Sequence, residues 1–300
     1  MSKTNWTTEN IPDQTGKTII ITGATSGLGK EATKVLASKN ATVVMAVRNT
    51  EKAETVVKEI LSEFPSSKID IISLDLNNLE SISSFDEKFN NDYKKLDVLI
   101  NNAGIMMCPY SKTKDGFEIQ MGTNHMGHFA LTGLLMPILL NTSDSRVVTT
   151  SSIAHRAGNI NFDDLNWEKR KYNTYRAYSD SKIANLYFTY ELVRRFKDAK
   201  NAPVFISSHP GWTKTELDRH SGPASFLGDI IAQSVQMGTL PTLRATTEVS
   251  AKSGDYFGPT KMMEMRGYPE LVKSNKRSHN IENAKKLWEI SEQLTGVKYQ

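Results

Sequence analysis

Tyr178 and Lys182 stand four residues apart in a stretch whose apolar residues recur at helical spacing. Residues four apart share one face of a helix, so the Lys182 ammonium can lie beside the Tyr178 phenol. A phenol titrates near pH ~10, and acid–base work at neutral pH requires its pKa to fall by about three units, roughly 4 kcal/mol. A neighbouring cation favours the phenolate in this way. The pair therefore predicts a tyrosine that acts as general acid or base.

A second pair with the same spacing, Tyr110 and Lys114, occurs earlier in the chain. Pro109, Asp115 and Gly116 surround it, and such residues are typical of a loop, where spacing fixes no geometry. We therefore assign the acid–base chemistry to Tyr178 and Lys182. Spacing alone would fit a solvated helix face equally well, so the assignment depends on the other motifs of the chain.

A glycine-rich turn follows the first β-branched run, Lys17–Ile21, and precedes a helical stretch. Strand, glycine turn and helix is the context of a dinucleotide phosphate site. Gly23 permits the tight turn, Gly27 lets the backbone approach the pyrophosphate, and Gly29 lets helix and strand pack closely. The spacing is G-x-x-x-G-x-G. A purely structural turn is the alternative for this motif taken alone.

Arg48 ends the second apolar run, Ala41–Val47, and lies nineteen residues past Gly29. Sites for NAD usually carry Asp or Glu about 20 residues past the motif, where it binds the ribose 2′-hydroxyl. A guanidinium suits a 2′-phosphate instead. The residue predicts NADP(H) as cofactor, and an ordinary exposed arginine is the alternative.

The composition of the 300-residue chain excludes several classes of protein. Its net charge of +4 is small, and no basic run is interleaved with aromatics, so we expect no nucleic-acid partner. Cys108 is the only cysteine, which excludes an intrachain disulfide and a cysteine metal cluster. His125 and His128 lack acidic or cysteine neighbours, so we interpret them as packing or pocket residues and predict no metal site. The longest apolar stretch, Leu131–Leu140, is too short to span a bilayer.

Apolar strand-like runs alternate with helical runs along most of the chain. The further strands are predicted at Ile69–Leu74, Leu96–Ile100, Arg146–Thr150 and Val204–Ser207. Helices are predicted at Glu51–Glu63, Ser81–Phe89, Phe117–Leu140 and from Ala177 to Phe196, with a further helical run between Arg277 and Gln300. Such alternation predicts an α/β fold: a single Rossmann-type, doubly wound parallel sheet with helices on both faces. Ligands bind at the carboxyl ends of such strands.

Further motifs stand at those strand ends. They are Asp75-Leu76, Asn101-Asn102-Ala103-Gly104, Ser151-Ser152 and the run from His209 to Thr215. Together with the glycine turn and the Tyr178/Lys182 pair, they resemble the short-chain dehydrogenase/reductase family over nearly the whole chain. The segments MMCPYSKTKDGFE and TNHMGHF resemble the branch of retinol dehydrogenases and WW-domain-containing oxidoreductases. Since residues 1–16 are polar, we expect no membrane anchor, and we find no WW domain.

The resemblance implies a role for each matching residue. Tyr178 is implied to donate the proton in reduction, Lys182 to lower its pKa and bind the nicotinamide ribose, Ser152 to bind the substrate oxygen, and Asn124 to hold a relay water. Asp75 is implied to meet the adenine, and Asn102 to Gly104 the adenosine ribose. The expected cofactor contacts are Gly23, Ser26, Gly27, Leu28, Gly29, Arg48, Asp75, Leu76, Asn102, Ala103, Gly104, Tyr178, Lys182, Pro210, Gly211, Thr213 and Thr215.

These observations predict one domain over residues 1–300 that transfers a hydride between NADP(H) and the carbonyl or alcohol group of an apolar substrate. Residues 212–250 mix apolar residues with Gly and Pro, which fits either a lid over the substrate or ordinary packing or a subunit contact. A redox-sensing NADP(H)-binding protein without turnover is one alternative, and a dehydratase or epimerase of the same fold is another. We expect a cytoplasmic protein, and the sequence leaves a homodimer open.

Overall fold

Strands hydrogen-bond side by side in one sheet in the computed structural model, which describes residues 5–213 and 232–299. Within these residues the strands are β1 (Thr18–Thr22), β2 (Thr42–Val47), β3 (Lys68–Ser73), β4 (Val98–Asn101), β5 (Arg146–Thr150), β6 (Val204–Ser208), β7 (Tyr256–Lys261) and β8 (Arg266–Leu271). Their order across the sheet is β3-β2-β1-β4-β5-β6-β7-β8. Neighbouring strands run parallel except β7 and β8, which are antiparallel.

Helices connect the parallel strands and cover both faces of the sheet. In the same described ranges they are α1 (Gly27–Ser38), α2 (Thr50–Glu63), α3 (Leu79–Asp92), α4 (Ile119–Met121), α5 (Gly127–Leu134), α6 (Met136–Leu140), α7 (Thr174–Arg195), α8 (Val235–Thr247) and α9 (Ile281–Thr295). The predicted doubly wound α/β fold is confirmed.

Successive residues of β1 pack into two separate hydrophobic cores, one on each face of the sheet. Ile20 of β1 packs with Phe85 of α3 and Phe129 of α5, whereas Ile19 packs on the opposite face with Leu36 of α1. Successive side chains of a strand point to opposite faces, so a strand buried on both sides must be apolar throughout. This explains why Ile19, Ile20 and Ile21 are consecutive apolar residues rather than apolar residues alternating with polar ones.

Two strands beyond the predicted six extend the sheet at one edge. β7 and β8 form a hairpin with an irregular register between Pro259 and Lys261. Glycine and proline are depleted in strands, and Gly258, Pro259 and Gly267 therefore concealed these strands in the sequence. The edge strand β8 makes the sheet mixed rather than wholly parallel.

The predicted continuous helix Phe117–Leu140 is wrong in detail, because the segment is divided. It begins at Ile119, widens into a π-helical turn over Gly122–Met126, and restarts at Met136. Pro137 has no N–H to donate, which explains the last break. The π-helical turn contains Asn124, and such turns are frequent at functional sites.

The segments flanking the sheet are in part packed against it. Trp6 and Ile11, from the polar N-terminal stretch, are buried in the same core as Leu240 and Leu243 of α8. The C-terminal part of the 212–250 segment thus packs on the sheet. Residues 214–231 lie outside the described part of the chain, so the lid stays a prediction.

Candidate active site

The glycine turn brings the end of β1 into close contact with two other backbone segments. A Cβ atom at Gly29 would lie 2.4 Å from the Gly23 carbonyl oxygen and 2.7 Å from Asn102 Nδ2. Gly23 has a φ of +68°, and a Cβ there would lie 2.9 Å from Ala103 Cβ. Both positions therefore require glycine. Ser26 precedes α1 and makes no side-chain cap bond, which leaves N–H groups of the first turn available to an anion.

A groove of about 540 Å³ crosses the carboxyl ends of the strands, starting from this turn. It runs between Arg48 at the end of β2 and Tyr178 on α7. Predicted site residues that line it are Gly23, Ser26, Gly27, Leu28, Gly29, Arg48, Asp75, Leu76, Asn102, Ala103, Gly104, Tyr178, Lys182 and Pro210. The groove joins the glycine turn to the predicted acid–base pair.

Three cations and one carboxylate line the groove among the described residues. Arg48 and Lys52 lie near the end of β2, Lys182 lies near Tyr178, and Asp75 is the carboxylate. Such a balance favours a polyanion such as a dinucleotide. The sequence analysis did not predict Lys52 as a groove residue. Its position four residues after Arg48, in the first turn of the predicted helix, could have indicated this.

Tyr178 and Lys182 face each other on α7, near its N-terminal end. The Lys182 Nζ atom lies 5.6 Å from the centroid of the Tyr178 ring and donates to the Thr150 carbonyl oxygen at 3.3 Å. Both side chains are buried. Burial disfavours the ammonium and lowers the pKa of Lys182 to about 8, so the group still carries its charge at neutral pH. The helix therefore places the Lys182 cation beside the Tyr178 ring.

The two serines after β5 have different surroundings. Ser151 is buried, and its hydroxyl donates to the Lys182 carbonyl oxygen at 2.8 Å. Ser152 is partly exposed, and its Oγ accepts the Ala154 N–H at 3.2 Å. The Ser152 hydroxyl proton is thus free to meet a substrate oxygen, whereas that of Ser151 is already used. Ser151 lines the groove, whereas the predicted catalytic residues Ser152 and Asn124 are not among its lining residues, so the choice of Ser152 stays a prediction.

Asn124 joins the loop after β4 to α7. Its Oδ1 accepts the Ile105 N–H at 2.8 Å, and its Nδ2 donates to the Ile105 carbonyl at 3.0 Å and to Ser181 Oγ at 2.9 Å. A Cβ at Gly104 would lie 3.2 Å from Asn124 Oδ1 and 3.4 Å from Lys182 Nζ. The side chain therefore fixes the loop beside Lys182, and any relay water would have to use another atom of this turn.

The loop after β6 supplies the other end of the predicted cofactor site. Pro210 lines the groove, Gly211 and Thr213 are not among its lining residues, and Thr215 falls outside the described residues. Thr213 Oγ1 donates to the Pro210 carbonyl at 2.9 Å, and Gln233 Nε2 donates to the same oxygen at 2.6 Å. Thr213 and Gln233 also form a parallel β-bridge. These contacts fix the loop where the chain leaves for residue 214 and returns at residue 232.

The second Tyr-x-x-x-Lys pair is separated by the structure, as its loop context predicted. Tyr110 is exposed and its hydroxyl donates to the Asn166 carbonyl at 3.2 Å. Lys114 forms an ion pair with Glu80 instead. Tyr110 is therefore a natural control for Tyr178.

The described residues contain neither a metal-binding cluster nor a membrane-spanning helix. No group of three or more His, Cys, Asp or Glu could hold a metal ion in residues 5–213 and 232–299. Over the same part of the chain, no helix combines the length and apolarity that crossing a membrane requires.

Known proteins resemble the chain in sequence and in fold. A family model described as short chain dehydrogenase matches residues 17–225. Retinol dehydrogenase 13 of Homo sapiens is 40% identical over 295 residues, covering 94% of this chain and 86% of the relative. Retinol dehydrogenase 11 of Homo sapiens is 41% identical, covering 94% and 86%.

Solved structures show the same fold. A crystal structure of an uncharacterised protein from Mycobacterium paratuberculosis has a TM-score of 0.85 and 40% identity, covering 99% of this chain and 100% of that one. A short chain dehydrogenase from Shigella flexneri complexed with NADP has a TM-score of 0.65 and 25% identity, covering 81% and 97%. The matched residues contain the glycine turn and the Tyr178/Lys182 pair. The chain therefore belongs to the short-chain dehydrogenase/reductase family, in its retinol dehydrogenase-like branch.

Proposed function

We propose that the protein is an NADP(H)-dependent oxidoreductase that interconverts a carbonyl and an alcohol on an apolar substrate. The observation that carries the proposal is the groove itself, which joins an arginine at the end of β2 to the buried Tyr178/Lys182 pair. A dinucleotide is the extended anion that fits this distribution of charge.

The charge at the β2 end supports NADP(H) over NAD(H). Arg48 stands where a carboxylate would bind an unmodified ribose, and Lys52 adds a second cation on the next turn. A guanidinium can bind a phosphate through two parallel hydrogen bonds. The NADP complex of the Shigella flexneri relative agrees with this choice.

The side chains near Tyr178 fit carbonyl reduction and its reverse. When bound, the nicotinamide would supply or accept the hydride at the substrate carbon. In reduction, the Tyr178 hydroxyl gives its proton to the substrate oxygen, and Ser152 donates a hydrogen bond to the same atom. These two donors meet the oxygen on which negative charge grows. Lys182 stabilises the resulting phenolate, and in oxidation the phenolate takes the proton back.

The substrate class rests on relatives and on the loop beside the site. The relatives are named retinol dehydrogenases, and retinol is an apolar alcohol. In this chain, Met106, Met107 and Cys108 follow the groove residue Ile105 and are only partly exposed. Met107 is held by a bond from its N–H to Gln120 Oε1 at 2.8 Å. We therefore propose a lipophilic aldehyde, ketone or alcohol, with retinal-like and steroid-like compounds as the first candidates.

A panel of aldehydes, ketones and alcohols, including retinal and steroids, tests the proposal. Oxidation of NADPH, or reduction of NADP⁺, is followed by absorbance for wild type, Tyr178→Phe and Tyr110→Phe. We expect turnover in wild type and Tyr110→Phe and its loss in Tyr178→Phe. Tight cofactor binding without turnover of any compound would favour a sensor. Substrate conversion without net NADPH consumption would favour a dehydratase or epimerase.

A further inference from the structure

His128 is buried on α5, and both of its ring nitrogens are within hydrogen-bond distance of a partner. The Nδ1 atom lies 3.0 Å from the Asn124 carbonyl oxygen, and the Nε2 atom lies 2.9 Å from Thr22 Oγ1. The ring therefore connects the π-helical turn with the end of β1, which are 102 residues apart in sequence.

The partners fix which nitrogen carries the proton. A carbonyl oxygen can only accept, so Nδ1 must donate to Asn124. Thr22 Oγ1 already accepts the N–H groups of Asn102 and Ala103, each at 2.9 Å. Its own proton is then best placed on His128 Nε2, because the alternative acceptor, the Ile100 carbonyl, is 3.4 Å away. Every donor meets an acceptor when the ring is neutral and protonated on Nδ1.

The surroundings of the ring agree with a neutral imidazole. Burial lowers the pKa of His128 to about 4, and the Lys182 cation acts in the same direction. A protonated ring would present an N–H to Thr22 Oγ1, which already has two donors. The hydrogen bonds around the ring are thus all satisfied when the ring is neutral and protonated on Nδ1.

We propose, on the basis of the proposed function, that His128 is a positioning residue. It fixes the Asn124 turn relative to the cofactor groove. Through Thr22 it orients Asn102 and Ala103, which line the groove. Through the Asn124 carbonyl it also fixes the π-helical turn. The Asn124 side chain of that turn bonds to Ile105 and to Ser181, and Ser181 is the neighbour of Lys182 in sequence. His128 contacts these groups rather than the reacting atoms, so it acts through them.

His125 provides a matched control three residues away. It is also buried, and its Nε2 lies 3.0 Å from Ser291 Oγ of α9. The Ser291 hydroxyl donates to the Leu287 carbonyl, so His125 links the same turn to the C-terminal helix and not to the groove. Replacement of either histidine removes a buried ring and one or more buried hydrogen bonds. Only replacement of His128 should affect the cofactor.

The experiment compares His128→Phe, His128→Gln, His128→Asn and His125→Phe. The readouts are the Kd of NADPH from its fluorescence, kcat at saturating NADPH, and the melting temperature. A Gln amide can reach the position of Nε2, and an Asn amide the position of Nδ1. We expect His128→Phe to raise Kd by about five-fold or more, as loss of one hydrogen bond to the cofactor-loop network implies, and also to lower kcat. His125→Phe should lower only the melting temperature.

His128→Gln and His128→Asn test the bond to Thr22 and the bond to the Asn124 carbonyl separately. They remain informative if His128→Phe does not fold. We expect His128→Gln to restore Kd and leave kcat low, and His128→Asn to restore kcat more than Kd. If all His128 variants and His125→Phe keep Kd and kcat within two-fold of wild type, or if both histidines alter them equally, the proposal is wrong. The Kd measurement needs no substrate, so absence of turnover in wild type would overturn the proposed function without deciding the role of His128.

Discussion

The Lys182 ammonium nitrogen lies 5.6 Å from the centroid of the Tyr178 ring, on the same face of α7 and at the end of the groove. Both residues are buried, so their electrostatic coupling is screened less than it would be at the surface. This relationship places a buried cation beside the phenol that we propose as the acid–base group.

Replacement of the Tyr178 hydroxyl should abolish turnover while preserving the fold. We expect Tyr178→Phe to lower kcat by about 10²–10⁴-fold or more, because the variant loses the proton donor and one hydrogen bond to the substrate oxygen. The Kd of NADPH should change little. Steady-state kinetics and cofactor titration check this, with the exposed Tyr110→Phe as control. Comparable turnover in Tyr178→Phe and wild type would refute the assignment.

The buried ammonium of Lys182 should lower the stability of the folded protein, although the residue supports activity. Its folded pKa of about 8 lies below the usual value of 10.5, so the buried ammonium destabilises the fold at neutral pH, and stability rises as pH increases between those values. We expect Lys182→Met to raise the free energy of unfolding at pH 7 by on the order of 2–3 kcal/mol. The variant should bind cofactor more weakly and need higher pH for alcohol oxidation. Denaturant unfolding and pH–rate profiles measure both effects, and loss of stability together with an unchanged profile would contradict them.

The two serines after β5 should respond differently to removal of the hydroxyl. Ser152→Ala should lower kcat by about 10²–10³-fold, since it removes a donor to the developing oxyanion. Ser151→Ala removes a buried bond to the Lys182 carbonyl and should cost about 1 kcal/mol of stability with a smaller effect on turnover. Kinetics and thermal unfolding of both variants check the assignment. A larger loss of turnover in Ser151→Ala would reverse it.

Arg48 should determine the choice of cofactor. We expect wild type to bind NADP(H) at least ten-fold more tightly than NAD(H), about 1.4 kcal/mol. Arg48→Asp places a like charge beside the 2′-phosphate and should reverse the preference. Titration of both cofactors against both proteins measures the ratio. A wild type that prefers NAD(H), or a ratio that the substitution leaves unchanged, would mean that Arg48 is only a surface residue.

Mild acid should destabilise the protein through its buried imidazoles. Burial lowers the pKa of His125 to about 3 and of His128 and His155 to about 4. Because the unfolded state binds these protons near pH 6.5, stability is complete above that pH and is lost as pH falls toward 4. At pH 5 each imidazole should cost on the order of 2 kcal/mol. Asp180, whose pKa burial raises to about 6, opposes part of this loss.

Denaturant unfolding at pH 7 and pH 5 measures the acid effect. His125→Phe should show a smaller difference between the two pH values than wild type, because one imidazole no longer titrates. A free energy of unfolding that is the same at both pH values would show that these histidines do not remain neutral in the fold.

Local patterns in the sequence predicted the parts of the fold that depend on local rules. The β-branched run before Gly23 and the helical periodicity around Tyr178 each reflect neighbours in sequence, and both elements are present. The bonds of His128 join residues far apart in the chain, so no periodicity could reveal them. The hairpin β7–β8 was missed because pairing across the sheet edge overrides the low strand propensity of Pro259 and Gly267.

The paired ends at Thr213 and Gln233 have a consequence for how such proteins diverge. A chain that departs and returns at adjacent points can exchange the residues between those points without straining the sheet, since the entropy of closing a loop grows slowly with its length. The bridge between Thr213 and Gln233 therefore fixes both ends of this connection on the sheet side, whatever its length.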